Sequence, residues 1–147
     1  MLAFAVVVLF YVAALVGYAE NRTTQLALYG ESLRALDEVE TVVSISHFYG
    51  LHAYIVARVI LIDGREMYYF VRDGQVRNFL EVTDMQPAQV LQSRALAEIG
   101  GGATTRGTQL GMHLGTAVLE VELEIDDVRH IVLVDAVTAE VILAFER

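Results

Sequence analysis

From Leu2 to Tyr18 no charged side chain interrupts the chain, and no polar position recurs to mark a solvent face. As an α-helix this run would reach about 25 Å at roughly 1.5 Å per residue, close to the roughly 30 Å hydrocarbon core of a bilayer. It reads as a single-pass membrane anchor over residues 1–19, with residues 2–18 in lipid and Tyr11 and Tyr18 suited to an interface. A cleaved secretory signal competes with that reading, since Gly17 and Ala19 are small residues at peptidase spacing before Glu20. A buried core helix is a third reading. No Lys or Arg precedes the run, so flanking charge does not set its orientation, and a basic leader would need an upstream start.

Beyond Ala19 the pattern changes and is read as two similar halves. In the first, Leu26, Tyr29, Leu33 and Leu36 recur at spacings of three and four, which predicts a helix from about Asn21 to Glu38. Strands are predicted at Thr41 to Phe48, which alternates only in part, then Tyr54 to Ile62, Glu66 to Arg72 and Gln75 to Glu81, with Asp63-Gly64 and Asp73-Gly74 as turns. The second half repeats the order. Thr83 or Asp84 is placed as the cap of a helix with Pro87 in its first turn and Leu91, Ala95 and Ile99 facing inward, ended by Gly100, Gly101 and Gly102. Thr105 to Met112, Ala117 to Ile125, His130 to Asp135 and Val141 to Phe145 are its strands. Units over residues 20–83 and 84–147 are each 64 residues long. A domain of that size buries only about 60% of its chain surface, so the two are expected to pack together as an α+β protein.

Period-two alternation assigns faces. Ala117, Leu119, Val121, Leu123 and Ile125 point one way and Glu120, Glu122 and Glu124 the other. Carboxylates two apart on a strand lie nearly 7 Å from each other, so this ladder reads as a solvated face and not as a calcium site. In the first half, Tyr54, Arg58, Tyr68 and Arg72 share a polar-aromatic face with two readings left open: a protein contact surface, or the packing face between the two units.

Composition narrows the function. Apolar content of 55% and a mean hydropathy of +0.48 are high for a purely soluble chain. A net charge of −9 argues against nucleic acid as a partner, because phosphate binding rests on excess Lys and Arg. There is no Cys, which excludes disulfides, thiolate catalysis and Cys-type zinc sites. His47 and His52 flank Phe48-Tyr49-Gly50, but no third ligand stands at zinc-site spacing, and no H-E-x-x-H, G-x-S-x-G or phosphate-loop motif occurs. The segment reads as a hairpin turn. No catalytic residue, metal ligand, cofactor or small-molecule substrate is expected.

The runs VVSISHFYGLHAYIVARVILIDGREMYYFVRDGQV, TDMQPAQVL and LVDAVTAEVILAFE together resemble the TseB-like (YpmB-type) proteins of low-GC Gram-positive bacteria. The likeness lies in the His47–Gly50 hairpin, the Asp73-Gly74 turn and the Asp135–Thr138 turn, which is similar to a PepSY "D-x-x-T-G" ending. Ala139 stands where that ending has Gly, which predicts a different backbone geometry there. The resemblance implies an N-terminal membrane helix followed by two tandem PepSY-like, cystatin-like units outside the cell. It also implies a non-catalytic adaptor in cell-wall elongation whose partner is a class B penicillin-binding protein, a transpeptidase. The alternative is a PepSY-type module that restrains a peptidase at the cell surface. The candidate partner surface comprises His47, Phe48, Tyr49, Tyr54, Arg58, Tyr68 and Arg72.

Overall fold

The computed structural model describes residues 24–147. Helix α1 occupies residues 24–34 and is followed by strands β1 (Val39–Tyr49), β2 (Ala53–Leu61), β3 (Glu66–Arg72) and β4 (Gln75–Glu81). After a 3-10 turn at Val82–Asp84 come helix α2 (Ala88–Ile99) and strands β5 (Thr104–His113), β6 (Thr116–Ile125), β7 (Val128–Asp135) and β8 (Val141–Glu146). The protein is α+β: each half is a four-stranded antiparallel sheet, hydrogen-bonded in chain order, with a helix. The anchor predicted over residues 1–19 lies outside the described residues. Among those described, no helix is long and apolar enough to cross a membrane.

In the first sheet the alternation on β2 and β3 is clean. Ile55, Ala57, Val59, Leu61, Met67, Tyr69 and Val71 form one core with Leu33 of α1, and Leu26 and Tyr29 pack half-buried against it. Helix α1 stops at residue 34, not at Glu38 as the periodicity predicts, and Leu36 is exposed. The chain turns early because Val39 must enter both the strand and this core, its N–H bonding to the Leu36 carbonyl at 3.0 Å. The Tyr69 hydroxyl donates to Glu38 Oε1 at 3.0 Å and fastens that turn to the sheet. Burial, with this hydrogen bond behind it, pushes the Tyr69 hydroxyl up to about 12, so it remains a donor at physiological pH. The partial alternation of β1 has a geometric cause. Register breaks between Val39 and Thr41 and between Val42 and Ser44 each insert a residue and reset which side faces inward.

In the second sheet Leu119, Val121 and Leu123 of β6 and Val132 and Val134 of β7 are buried under Leu91 and Ala95 of α2. The predicted cap is corrected. Thr83 and Asp84 belong to the 3-10 turn, and Pro87 itself takes the N-cap position without a side-chain cap bond. Gln86 holds the helix start in place, its backbone N–H donating to Ala136 O at 2.8 Å and its side-chain amide to Val137 O at 3.0 Å.

The Asp73-Gly74 turn has φ of 54° and 71°, the paired left-handed conformation whose twist matches the flanking strands. The Asp135–Thr138 turn is held by one carboxylate: Asp135 Oδ1 accepts from the N–H groups of Val137 at 2.8 Å and Thr138 at 2.9 Å. Among the described residues, Ala139 is one of the few non-glycine residues with a positive φ. It takes φ of 61° and adopts the left-handed conformation that a glycine would adopt there without strain. Ala139→Gly is therefore expected to stabilise the fold by about 0.5–1 kcal/mol, read as a higher urea midpoint at unchanged m-value.

A third cluster joins the halves. Phe48, Val56, Phe70 and Leu80 of the first sheet meet Met112, Val118, Ile131, Leu133 and Ala136 of the second half. The two units thus share a core, as expected for sheets too small to be comfortable alone.

Candidate functional site

The site begins with Phe48, one residue from the end of β1. The predicted turn at Phe48-Tyr49-Gly50 lies further on: β1 continues through Tyr49, which pairs with Ala53, and the reversal occupies Gly50, Leu51 and His52. Phe48 is 1% exposed. Its ring lies over Gly111 of β5, where a Cβ would fall inside contact distance of the ring atoms. Beside it the Gln109 side-chain amide donates to the backbone carbonyl of His47. A glycine that leaves room and an amide that ties down the strand together fix the β1–β2 hairpin over the second sheet.

The tip of that hairpin overhangs the sheet face opposite α2. A groove of about 370 Å³ opens between them, with Tyr49 and Leu51 on one wall and Ile131, Leu133, Leu143 and Phe145 on the other. His113, Glu120 and Arg147 are at its polar margin. Tyr49 is 58% exposed, Leu51 62%, Leu143 41% and Phe145 45%, so much of the lining apolar area is in water.

The carboxylate ladder of β6 runs along this face, and it is half-buried where full solvation was expected. Arg129 Nη1 stands 3.1 Å from Glu122 Oε1, and Arg106 pairs with Glu124. Glu120 is in none of these pairs. Burial pushes its carboxyl up, the Arg147 charge opposes that and Glu122 adds to it. A carboxylate that holds its proton more tightly in the native state than in the unfolded chain makes folding less favourable as pH rises through its titration. Glu120→Gln is therefore expected to raise the denaturant midpoint near neutral pH, with the gain vanishing below the ordinary glutamate range. Paired unfolding curves at acidic and neutral pH check this.

The residues expected on a partner surface separate in space. Phe48 is core at 1% exposure, and its buried ring also lines the inner end of the groove. His47 and Tyr49 share the opposite face of β1 with their rings stacked at 5.6 Å and 8°, and only Tyr49 reaches the groove. Tyr54 and Tyr68 pack half-buried against the inter-sheet cluster, which is the second of the two readings left open for their face. Arg58 is held by Glu66, with Nε at 3.0 Å and Nη2 at 2.5 Å from Oε2. Arg72 lies 3.4 Å from Asp73 at a turn. Among the described residues no three His, Asp or Glu side chains are grouped as metal ligands.

Sequence reasoning missed Leu51, Glu120, Leu143 and Phe145. The available signal was VILAF at 141–145, apolar at every position where a strand with one solvated face would alternate.

The arrangement of two helix-and-meander units sharing one core has a solved counterpart. The chain shares its fold with the YpmB protein from Bacillus subtilis. The superposition has a TM-score of 0.67 and covers 78% of this chain and 91% of that one, at 15% identity. A candidate lipoprotein from Clostridium difficile 630 aligns at a TM-score of 0.45 and 15% identity, over 86% of this chain and 92% of that one. No protein-family model matches the sequence, and no curated protein does.

Proposed function

We propose that this protein is a membrane-anchored, extracytoplasmic adaptor that acts by contact and not by catalysis, with a class B penicillin-binding protein of cell-wall elongation as its partner. The observation that carries this reading is the groove between the hairpin tip and the second sheet. It is apolar at its walls and charged at its margin, the make-up of a protein contact surface with a hydrophobic centre and polar rim. The fold shared with YpmB and the apolar run at residues 2–18 agree with such a role. Confinement to a membrane with its partner raises effective concentration, so a modest groove suffices.

Photocrosslinking in cells from Leu51, at the groove's rim, tests the proposal. Capture of a transpeptidase is the expected result. Capture of a peptidase would replace it with peptidase restraint, and recovery of the intact chain as a free cytosolic species would overturn both.

A further inference from the structure

Helix α1 runs opposite to β1. Its end leads into Val39, whose N–H bonds to the Leu36 carbonyl, while Gly30 lies against Ile45, where a Cβ would come to 3.2 Å from Ile45 Cδ1. Thr24, the first residue of the helix, is therefore about 9 Å further along at roughly 1.5 Å per residue, toward the end where β1 finishes and the hairpin tip begins. The apolar run read as an anchor ends at Tyr18, six residues before Thr24. That stretch spans at most about 22 Å even when fully extended. A membrane that holds the run lies close to this end of the first sheet.

The second sheet brings its own apolar strand to the same end. Phe48 lies over Gly111 of β5, and the next residues of the hairpin, Tyr49 to Leu51, lie beside Glu120 of β6, Leu133 of β7 and Phe145 of β8. The second sheet therefore extends from β5 in the direction in which the hairpin points, and β8 comes to the tip. The exposed side chains of Tyr49, Leu51, Leu143 and Phe145 form an apolar rim there. Exposed apolar patches of this kind mark contact with a protein or a membrane.

Charge and chain connection favour the membrane. Residues 49–54 and 141–145 contain no Asp, Glu, Lys or Arg. The β3–β4 turn reaches the same end, because Val71 pairs with Ile55, and has Arg72 and Arg77 around Asp73. At the rim's margin Glu120 and Arg147 oppose each other's charge, and Glu146 points to the other face of β8. Asp37, Glu38, Glu40 and Asp63 are at the opposite end of the first sheet, where β1 begins and β2 turns into β3. A chain of net charge −9 meets lipid phosphates least unfavourably with that acidic end turned away. Tyrosine beside aliphatic side chains suits the membrane–water interface.

We infer that the hairpin tip and β8 form a rim that rests on the lipid bilayer, with Tyr49, Leu51, Leu143 and Phe145 among the headgroups and upper acyl chains. This rests on the anchor in the reading above and adds how the body sits on the membrane. Tethering makes the lipid contact intramolecular, so a small apolar area suffices where an untethered protein would dissociate. The groove between the two walls opens along the bilayer, where a partner in the same membrane reaches it.

The chain contains no Trp, so Leu51→Trp and Phe145→Trp each introduce a single fluorescent reporter into the full chain, which is reconstituted in phosphatidylcholine vesicles. Brominated acyl chains quench tryptophan on contact. Ile62→Trp is the control, at a site 68% exposed in the β2–β3 turn at the opposite end. Tyr49→Trp replaces either reporter whose circular dichroism departs from that of the wild type. The expected result is that bromination roughly halves the emission from positions 51 and 145 and leaves that from 62 unchanged. Emission indifferent to bromine at 51 or at 145, or quenching at 62 as strong as at 51, would overturn the inference. A chain that enters the vesicles without quenching at the rim removes the lipid contact alone and leaves the anchor standing, whereas a chain that stays outside them removes both.

Discussion

Phe48→Ala is expected to cost about 3–5 kcal/mol, the range for emptying a buried aromatic site. That is a large fraction of the roughly 5–15 kcal/mol that holds a typical domain folded. The ring is 1% exposed and, among the described residues, belongs to the one cluster that contains residues from both sheets, so the loss falls on the join between the units. The two cores under α1 and α2 contain neither Phe48 nor Gly111. Chemical denaturation should show a lower midpoint. If the join fails first, the transition also broadens and its m-value falls, as two-state behaviour gives way to sequential loss of the halves. A variant that unfolds at the wild-type midpoint would show that Phe48 does not hold the halves together.

Gly111→Val has the second largest expected effect and approaches the same contact from the other side. A Cβ at this position collides with the Phe48 ring, and overpacking of this kind costs about 1–3 kcal/mol. Valine is a good strand former, so β5 itself has no reason to break. The ring and the hairpin that carries it must move instead. The outcome to measure is crosslinking from Leu51, expected to fall at least about tenfold while circular dichroism stays that of the wild type. Because the added methyl groups fill part of the space the ring vacates, Phe48→Ala combined with Gly111→Val should be less destabilised than the sum of the single variants. A coupling of about 0.5–3 kcal/mol is the usual size for residues in contact.

Much of this fold is legible in local sequence, and the reasons are local. Strands β3 and β4 begin and end where the pattern places them, because Asp73-Gly74 supplies a turn with one well-matched conformation. The inward face of β6 follows from strict alternation, and Leu91 and Ala95 are the buried residues of α2. Where the reading departs, a distant partner decides. An aromatic residue next to a Tyr-Gly pair reads as the exposed shoulder of a turn, and nothing nearby reveals that Gly111 waits to receive its ring. The register breaks of β1 are invisible because an extra residue in a strand carries no composition of its own. Ala139 sits at positive φ against its preference because Asp135 and Thr138 fix the turn around it, with Thr138 Oγ1 accepting the Glu140 N–H at 3.3 Å. The groove was the least legible feature, since its walls come from the two halves, and VILAF at 141–145 signals a covered strand face without indicating what covers it.

That separation has a consequence for biogenesis. One wall comes from Tyr49 and Leu51 and the other from strands β7 and β8, so a nascent or clipped polypeptide lacking β7 and β8 offers no groove. Any polypeptide that presents the groove has therefore folded the β1–β2 hairpin and strands β7 and β8 into one body.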